Sequence, residues 1–381
     1  MAHRVTDRPT DHATRDAPSA APGSSVARNW HAELRRAARA GVLPLLAFAL
    51  FAAMAIAASV GAVPIPPGVT ARVLLDQLPF IHLRADWPPL DAAIVLLRLP
   101  RVCGAALVGA ALATAGCLFQ GLLRNPLADP LLLGTSSGAA LGATIGFLLP
   151  QTLTAYWFGF SLVTIFAFVG AVGAIAVVYG LATRQGRTPV VTLLLAGVAV
   201  GAIFAAAQTL LIIQSDRIGN RLLPLFTWLA GSIDVDQWPP VAVVASLVGA
   251  GLAASLLLAP VLDAFALGER MALHLGWRVE RAKLTIIAVA ALLVAAAVAI
   301  SGLVGFVGLV APHLCRITLG PRHRLLLPTA ALAGAIFVTL ADLLARTLVA
   351  PSELPLGVLT ALVGGPFFLW LLRRSGARYA W

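Results

Sequence analysis

Residues 283–301 read KLTIIAVAALLVAAAVAIS, one lysine followed by a run without a charge from Leu284 to Ser301. A run of that length is what a helix needs to cross the hydrocarbon core of a bilayer. Similar apolar stretches fall near 41–63, 102–123, 131–150, 157–182, 190–213, 241–262, 303–319, 325–349 and 355–372, which makes ten with 284–301. The chain is 60% hydrophobic and 11% charged, with a mean hydropathy of +0.92. Such a chain cannot keep its surface in water, so its solvent is lipid. The fold class that follows is all-α, a polytopic membrane protein of about ten transmembrane helices over residues 41–374.

Lys283 is the sole lysine among the 381 residues, and it lies in Arg281-Ala282-Lys283-Leu284. A phosphate-binding P-loop needs Gly-x-x-x-x-Gly-Lys-Ser/Thr, so that route to ATP is closed on this chain. The net charge of +11 comes from basic residues scattered between apolar spans, which marks cytoplasmic loops near anionic lipid and not a nucleic-acid surface. Cys103, Cys117 and Cys315 lie in or beside apolar segments without Cys-x-x-Cys spacing, and read as small packing residues.

Residues 1–40 are polar and carry seven arginines, which predicts a disordered basic cytoplasmic tail. The apolar run behind them is too long and too late for a cleaved signal, so it reads as a first helix that stays. Residues 375–381 form a short C-terminal tail. Counting Lys and Arg on the two sides of the ten-helix arrangement puts 20 on the side of the N-terminus and 7 on the other, together all 27. The positive-inside rule then places both termini in the cytoplasm. Gly116, Pro126 and Gly134 recur as Gly302, Pro312 and Gly320, each 186 positions later; with 34 Gly and 25 Pro this is either a duplication or coincidence. Asp129, Asp263, Asp342 and Glu353 all fall at predicted helix ends. Ion-driven transporters carry carboxylates deep in their spans, so energy is expected to enter from outside the membrane.

Four segments hold the chemistry. Arg98-Leu99-Pro100-Arg101 would open the second helix, with Pro100 in its first turn and two arginines on one face; they either snorkel or receive carboxylates of an external partner. Asn125-Pro126-Leu127-Ala128-Asp129-Pro130 forms a rigid turn in which Asn125 and Asp129 can satisfy backbone donors. Leu267–Gly276 reads as a short amphipathic helix, lying on lipid or in a cleft of a soluble partner. Ser301–Arg316 contains Gly305-Phe306-Val307-Gly308-Leu309-Val310-Ala311-Pro312-His313, whose histidine has no second metal ligand at suitable spacing and reads as a helix-end residue.

In that order, these segments resemble the permease subunits of type II bacterial ABC importers, the family that takes up ferric siderophores, haem and cobalamin. The likeness runs from about residue 41 to 374. It implies a subunit of the bacterial inner (plasma) membrane that catalyses no covalent change, with no catalytic residue, no metal site and no cofactor. Its partners would be two ATP-binding cassette subunits, a periplasmic or lipid-anchored substrate-binding protein, and a second permease copy, identical or paralogous, in membrane lipid and without nucleic acid. The likeness assigns docking of the binding protein to Arg98, Arg101 and Arg346, and the cytoplasmic gate to Asn125 and Leu127. It assigns ATPase coupling to the loop with Glu269, Ala272 and Gly276. The fifth helix, about 190–213, would line the path with Gly197 and Gly201, which stand at small-xxx-small spacing. Two departures stand out. The loop before that helix reads Gly186-Arg187-Thr188-Pro189-Val190-Val191-Thr192 and gives no second gate residue, and the basic tail is longer than the family needs. The rival reading is an ion-coupled secondary transporter working through Asp342.

Overall fold

Proline at the first turn of a helix loses no hydrogen bond, because that N–H has no partner in any case. Pro67 and Pro89 use this to open α2 (Pro67–Asp76) and α3 (Pro89–Leu123). The second apolar run thus becomes a helix that begins nine residues before Arg98. The expectation that Pro100 opens it is corrected: Pro100 lies inside α3. The computed structural model describes residues 23–61, 63–77, 87–149, 159–215 and 221–375. Residues 1–22 and 376–381 of the two expected tails lie outside them.

Among the described residues the chain is helical, without strands. α1 (Gly23–Ser59) precedes α2, so helix begins well before residue 41, within the segment expected to lack structure. After α3 come a 3-10 turn (Pro130–Leu133), α4 (Thr135–Leu148), α5 (Leu162–Ala182), α6 (Val190–Gln214) and α7 (Leu222–Leu229). Then follow α8 (Trp238–Ala266), α9 (Glu269–His274), α10 (Val279–Ser301), α11 (Val307–Leu319), α12 (His323–Thr347) and α13 (Leu356–Ser375). Eight of these are long and apolar enough to cross a membrane: α1 from Gly41, α3, α5, α6, α8, α10, α12 and α13.

Two of the ten expected spans are shorter. α4 and α11 each rise only about 20 Å, against a hydrocarbon core of about 30 Å. The backbone explains both. Gly134 at φ +83° separates the 3-10 turn from α4, and Gly302 at φ +60° with Phe306 at φ +67° holds 302–306 out of helix before α11. Hydropathy averages over such breaks. The echo at 186 positions does not survive as structure: Gly116 is mid-helix while Gly302 caps α10, and Pro126 sits in a turn while Pro312 is inside α11.

α3 is the spine, buried along most of its length and packed on α8, α10, α11 and α12. Lipid gives no hydrophobic drive between helices, so they associate by close packing of small residues. Gly109 of α3 and Gly334 of α12 show how close: a Cβ on either would run into the other's backbone. α10 contributes Ala290, Ala291, Ala295, Ala296 and Ala297 to the same core. α1 from Gly41, α6 and α13 are mostly exposed and apolar, with Phe48, Leu195, Val198, Ile203 and Leu362 facing outward.

Replacing Gly334 by Val should therefore destabilise by about 1–3 kcal/mol through overpacking, lowering the melting temperature in detergent. Gly173→Ala on α5, where nothing lies within 4 Å of the new methyl, should leave the melting temperature nearly unchanged.

Candidate functional site

A helix leaves its last carbonyls without intrahelical partners, and α1 ends beside two arginines that supply donors. Arg98 Nη1 donates to Ala58 O and Ser59 O (3.0 and 3.2 Å), and Nη2 to Val63 O (2.7 Å). Arg346 Nη2 donates to Ala57 O at 3.1 Å. Cations also suit the negative end of the helix dipole. Gly61 lies against this guanidinium, where an added Cβ would come within 2.6 Å of Arg98 Nη2.

Behind these caps sits Asp342, 1% exposed inside α12 and not at its end as the sequence predicted. Its Oδ1 accepts from Arg101 Nε and Nη2 (3.1 and 3.0 Å), and its Oδ2 from Arg346 Nε (3.0 Å). Arg101 also donates twice to Glu353, at 3.0 and 2.8 Å. The three arginines foreseen as a docking site thus do meet at one end of the bundle. They line an open cavity of about 340 Å³ with Asp234, Asp236 and Glu353, but each is already engaged within the chain.

At the opposite end, Asn125 Oδ1 accepts from Leu127 N (2.9 Å), and Asp129 Oδ1 from Leu131 N (2.9 Å). The turn after α3 is thereby fixed by its own side chains. Burial raises the Asp129 carboxyl above its usual range, and amide bonds from Leu131 and Phe306 offset only part of that rise. Asn125 is exposed and Leu127 partly so. Arg124 brings this turn beside Gly268, just ahead of α9.

α9 packs by one residue. Ala272, foreseen as a partner contact, is wholly buried and seats the helix on its own chain. The outward face is made by Arg270, Met271, Leu273 and His274, continued by Leu275 and Trp277. Gly276, at φ +86° with open space around it, ends the segment. Glu269 reaches back to Lys283 at 2.8 Å. Beside it an open cavity of about 540 Å³ is lined by Arg187, Arg270, Arg278 and Arg281 with Glu269 and Glu280.

Gly197 and Gly201 turn inward. Both pack α6 on the Gly134 turn, with Gly201 also close to Ser137 of α4. Small residues at that spacing served an intrachain helix contact, and the open face of α6 belongs to Leu195, Val198 and Ile203. His313 is not at a helix end but in the body of α11, buried edge-on against Phe367 at a ring distance of 6.2 Å. Among the described residues no group of three His, Cys, Asp or Glu could hold a metal ion.

Residues 47–374 match the FecCD transport family. The chain belongs to that family. It is 45% identical over 279 residues to the hemin transport system permease protein HmuU of Yersinia pestis, covering 73% of this chain and 82% of that protein. It is 38% identical over 330 residues to the cobalamin import system permease protein BtuC of Halobacterium salinarum, covering 82% and 86%. With the Fe(3+)-citrate import system permease protein YfmD of Bacillus subtilis the figures are 36% over 350 residues, covering 91% and 98%. A solved chain of a metal-chelate type ABC transporter in an inward-facing conformation superposes with a TM-score of 0.73 at 30% identity, covering 88% of this chain and 99% of that one. The FecCD chain is a multi-pass membrane protein, and the resemblance read from its motifs holds: it is a permease subunit of the type II ABC importer class.

The arginines were legible in the sequence, and their partners were not. The spacing of Asp342 and Arg346, four apart on one helix, was readable; the link from Arg101 to Glu353 spans 252 positions and left no local signal. Removing one partner of a buried pair leaves the others' charge uncompensated. Asp342→Asn should therefore cost about 3 kcal/mol or more, and Glu353→Gln, at a half-exposed site, under about 1 kcal/mol. Thermal unfolding of the purified FecCD protein in detergent compares the two.

Proposed function

We propose that this FecCD chain is the membrane permease of an ATP-driven importer that moves a ferric siderophore, or a related iron chelate, into the cytoplasm. Haem and cobalamin belong to the same chelate class, and the names of the relatives span all three. The single observation that carries the reading is the family match over 47–374. It is supported by the state of the sole lysine, buried among carboxylates where it cannot serve a nucleotide. ATP hydrolysis is then the work of two partner subunits, which contact the outward face of α9.

Residues 41–374 form the permease domain, with the polar ends 1–40 and 375–381 in the cytoplasm. The Arg98–Arg101–Arg346 end faces outward and receives carboxylates of a substrate-binding protein; the Asn125–Leu127 turn and α9 lie on the cytoplasmic side, where the turn gates the path. Two permease copies enclose that path, the open face of α6 contributing to its wall. The ion-coupled alternative loses its basis, because the one carboxylate it relied on, Asp342, is engaged by Arg101 and Arg346 of its own chain.

Proteoliposomes holding the chain, its ATP-binding subunits and its binding protein should accumulate one labelled chelate from a panel of ferric hydroxamate, ferric citrate, haemin and cobalamin, and only with ATP. Uptake that ignores ATP and follows a proton gradient would reject the reading. For docking, Arg101→Gln should weaken binding-protein affinity about tenfold, as losing a charged hydrogen-bonded pair does. Glu353→Gln, which frees the same guanidinium, should tighten it; surface plasmon resonance on nanodisc-held permease measures both.

A further inference from the structure

An ammonium has three donors and no acceptor, and Lys283 spends all three on separate elements. Its Nζ donates to Glu269 Oε2 on α9 (2.8 Å), to Glu280 Oε1 in the first turn of α10 (3.2 Å), and to Thr188 O just ahead of α6 (3.1 Å). The side chain is 4% exposed. The second oxygen of Glu280 accepts from Thr188 N at 2.9 Å, so Thr188 is held through both its backbone groups. Thr188 Oγ1 lies 2.9 Å from Thr183 Oγ1, and Thr183 Oγ1 donates to Tyr179 O at 2.8 Å, which carries the network to the end of α5. Between them Arg184 and Arg187 close a two-residue hairpin, with Gln185 and Gly186 at positive φ, a turn with little freedom of its own.

α9 has few other holds on the bundle. It is six residues long and Ala272 is its only wholly buried residue. Among the described residues, Glu269 carries the only side-chain hydrogen bond from α9 to the rest of the chain. A hydrogen bond between charged groups is the strong kind. Here the ammonium is buried while the Glu269 carboxylate is partly exposed, and through Lys283 it links the helix that faces the energy-supplying partner to the start of the mostly exposed helix α6.

We propose that Lys283 is a positioning residue that makes α9, the 183–189 hairpin and the first turns of α6 and α10 move as one piece, so that a displacement of α9 by an ATP-hydrolysing partner is delivered to α6. This rests on the reading of the chain as an importer permease with α9 as the contact. A purely stabilising Lys283 would affect folding yield and leave the stoichiometry of transport alone.

The test uses the reconstituted importer, with spin labels at Met271→Cys and Val191→Cys after replacement of Cys103, Cys117 and Cys315 by Ala. Both labelled positions are exposed. With Lys283 present, the label distance should be the same without nucleotide and with ATP bound. In Lys283→Met the distance should shift or broaden with ATP, and chelate moved per ATP hydrolysed should fall about tenfold, within the usual span of a coupling free energy. Lys283→Arg, which keeps the donors, should restore most of the ratio. Glu269→Gln keeps the side chain's shape and should show the same loss in weaker form, which covers a Lys283→Met that does not assemble. A Lys283→Met importer with the original distances and the original ratio overturns the proposal. So does a nucleotide-dependent distance in the parent protein. A parent importer that moves no chelate with ATP rejects the permease reading instead, separately from the strut.

Discussion

Inside a bilayer no water stands by to solvate a polar group, and each charge drawn into the bundle has to find its counter-charge in the same chain. Two places show what that demands, and they are mirror images in sign. At one end the buried carboxylate of Asp342 sits between the guanidinium groups of Arg101 and Arg346. At the other the buried ammonium of Lys283 sits between the carboxylates of Glu269 and Glu280. The first node joins α3 and α12, with the capped end of α1, all far apart in sequence; the second joins the consecutive helices α9 and α10 to the distant approach to α6. Such pairs do not by themselves raise stability over an apolar core, but they penalise any arrangement that separates the partners.

Between the nodes the FecCD chain has little to offer except shape. α3, α10 and α12 meet through glycine and alanine, with backbones close enough at Gly109 and Gly334 that no side chain fits. A core of this kind transmits displacement and does not absorb it. The outer helices differ. α1 from Gly41, α6 and α13 turn large apolar side chains such as Phe48, Leu195 and Leu362 outward, as fits surfaces that meet lipid or a second subunit. A stiff interior with charged fittings at its two ends is a reasonable construction for a part driven from one side and loaded from the other.

How much of this could be read from the sequence depends on the range of the signal. The helices were legible because hydropathy is a local sum, and the boundaries failed where a single backbone angle decides them. Gly302 and Phe306, both at positive φ, stop the chain from continuing as helix into 307–319, and nothing in the composition of that run says so. Pro100 was taken for a helix start because proline favours that position, yet Pro89 occupies it. The motifs located both ends of the bundle, but pairings such as Arg101 with Glu353 and Lys283 with Thr188 are contacts across long stretches of chain, which one sequence cannot display. Ala272 and the two glycines of α6 teach the same lesson: a pattern gives the spacing of small residues, and only the fold says which way they face.

The claim on which the rest turns is that the two charged nodes lie on opposite faces of the membrane, the Asp342 node outside and the Lys283 node inside. Single cysteines at Ser352 and at Arg270, both exposed positions next to their respective nodes, can be introduced after the three native cysteines are replaced by Ala. They can then be offered an impermeant maleimide on sealed, right-side-out spheroplasts. The account predicts labelling at 352 in sealed spheroplasts and at 270 only after permeabilisation. Labelling of both in sealed spheroplasts, or the reverse order, would contradict it.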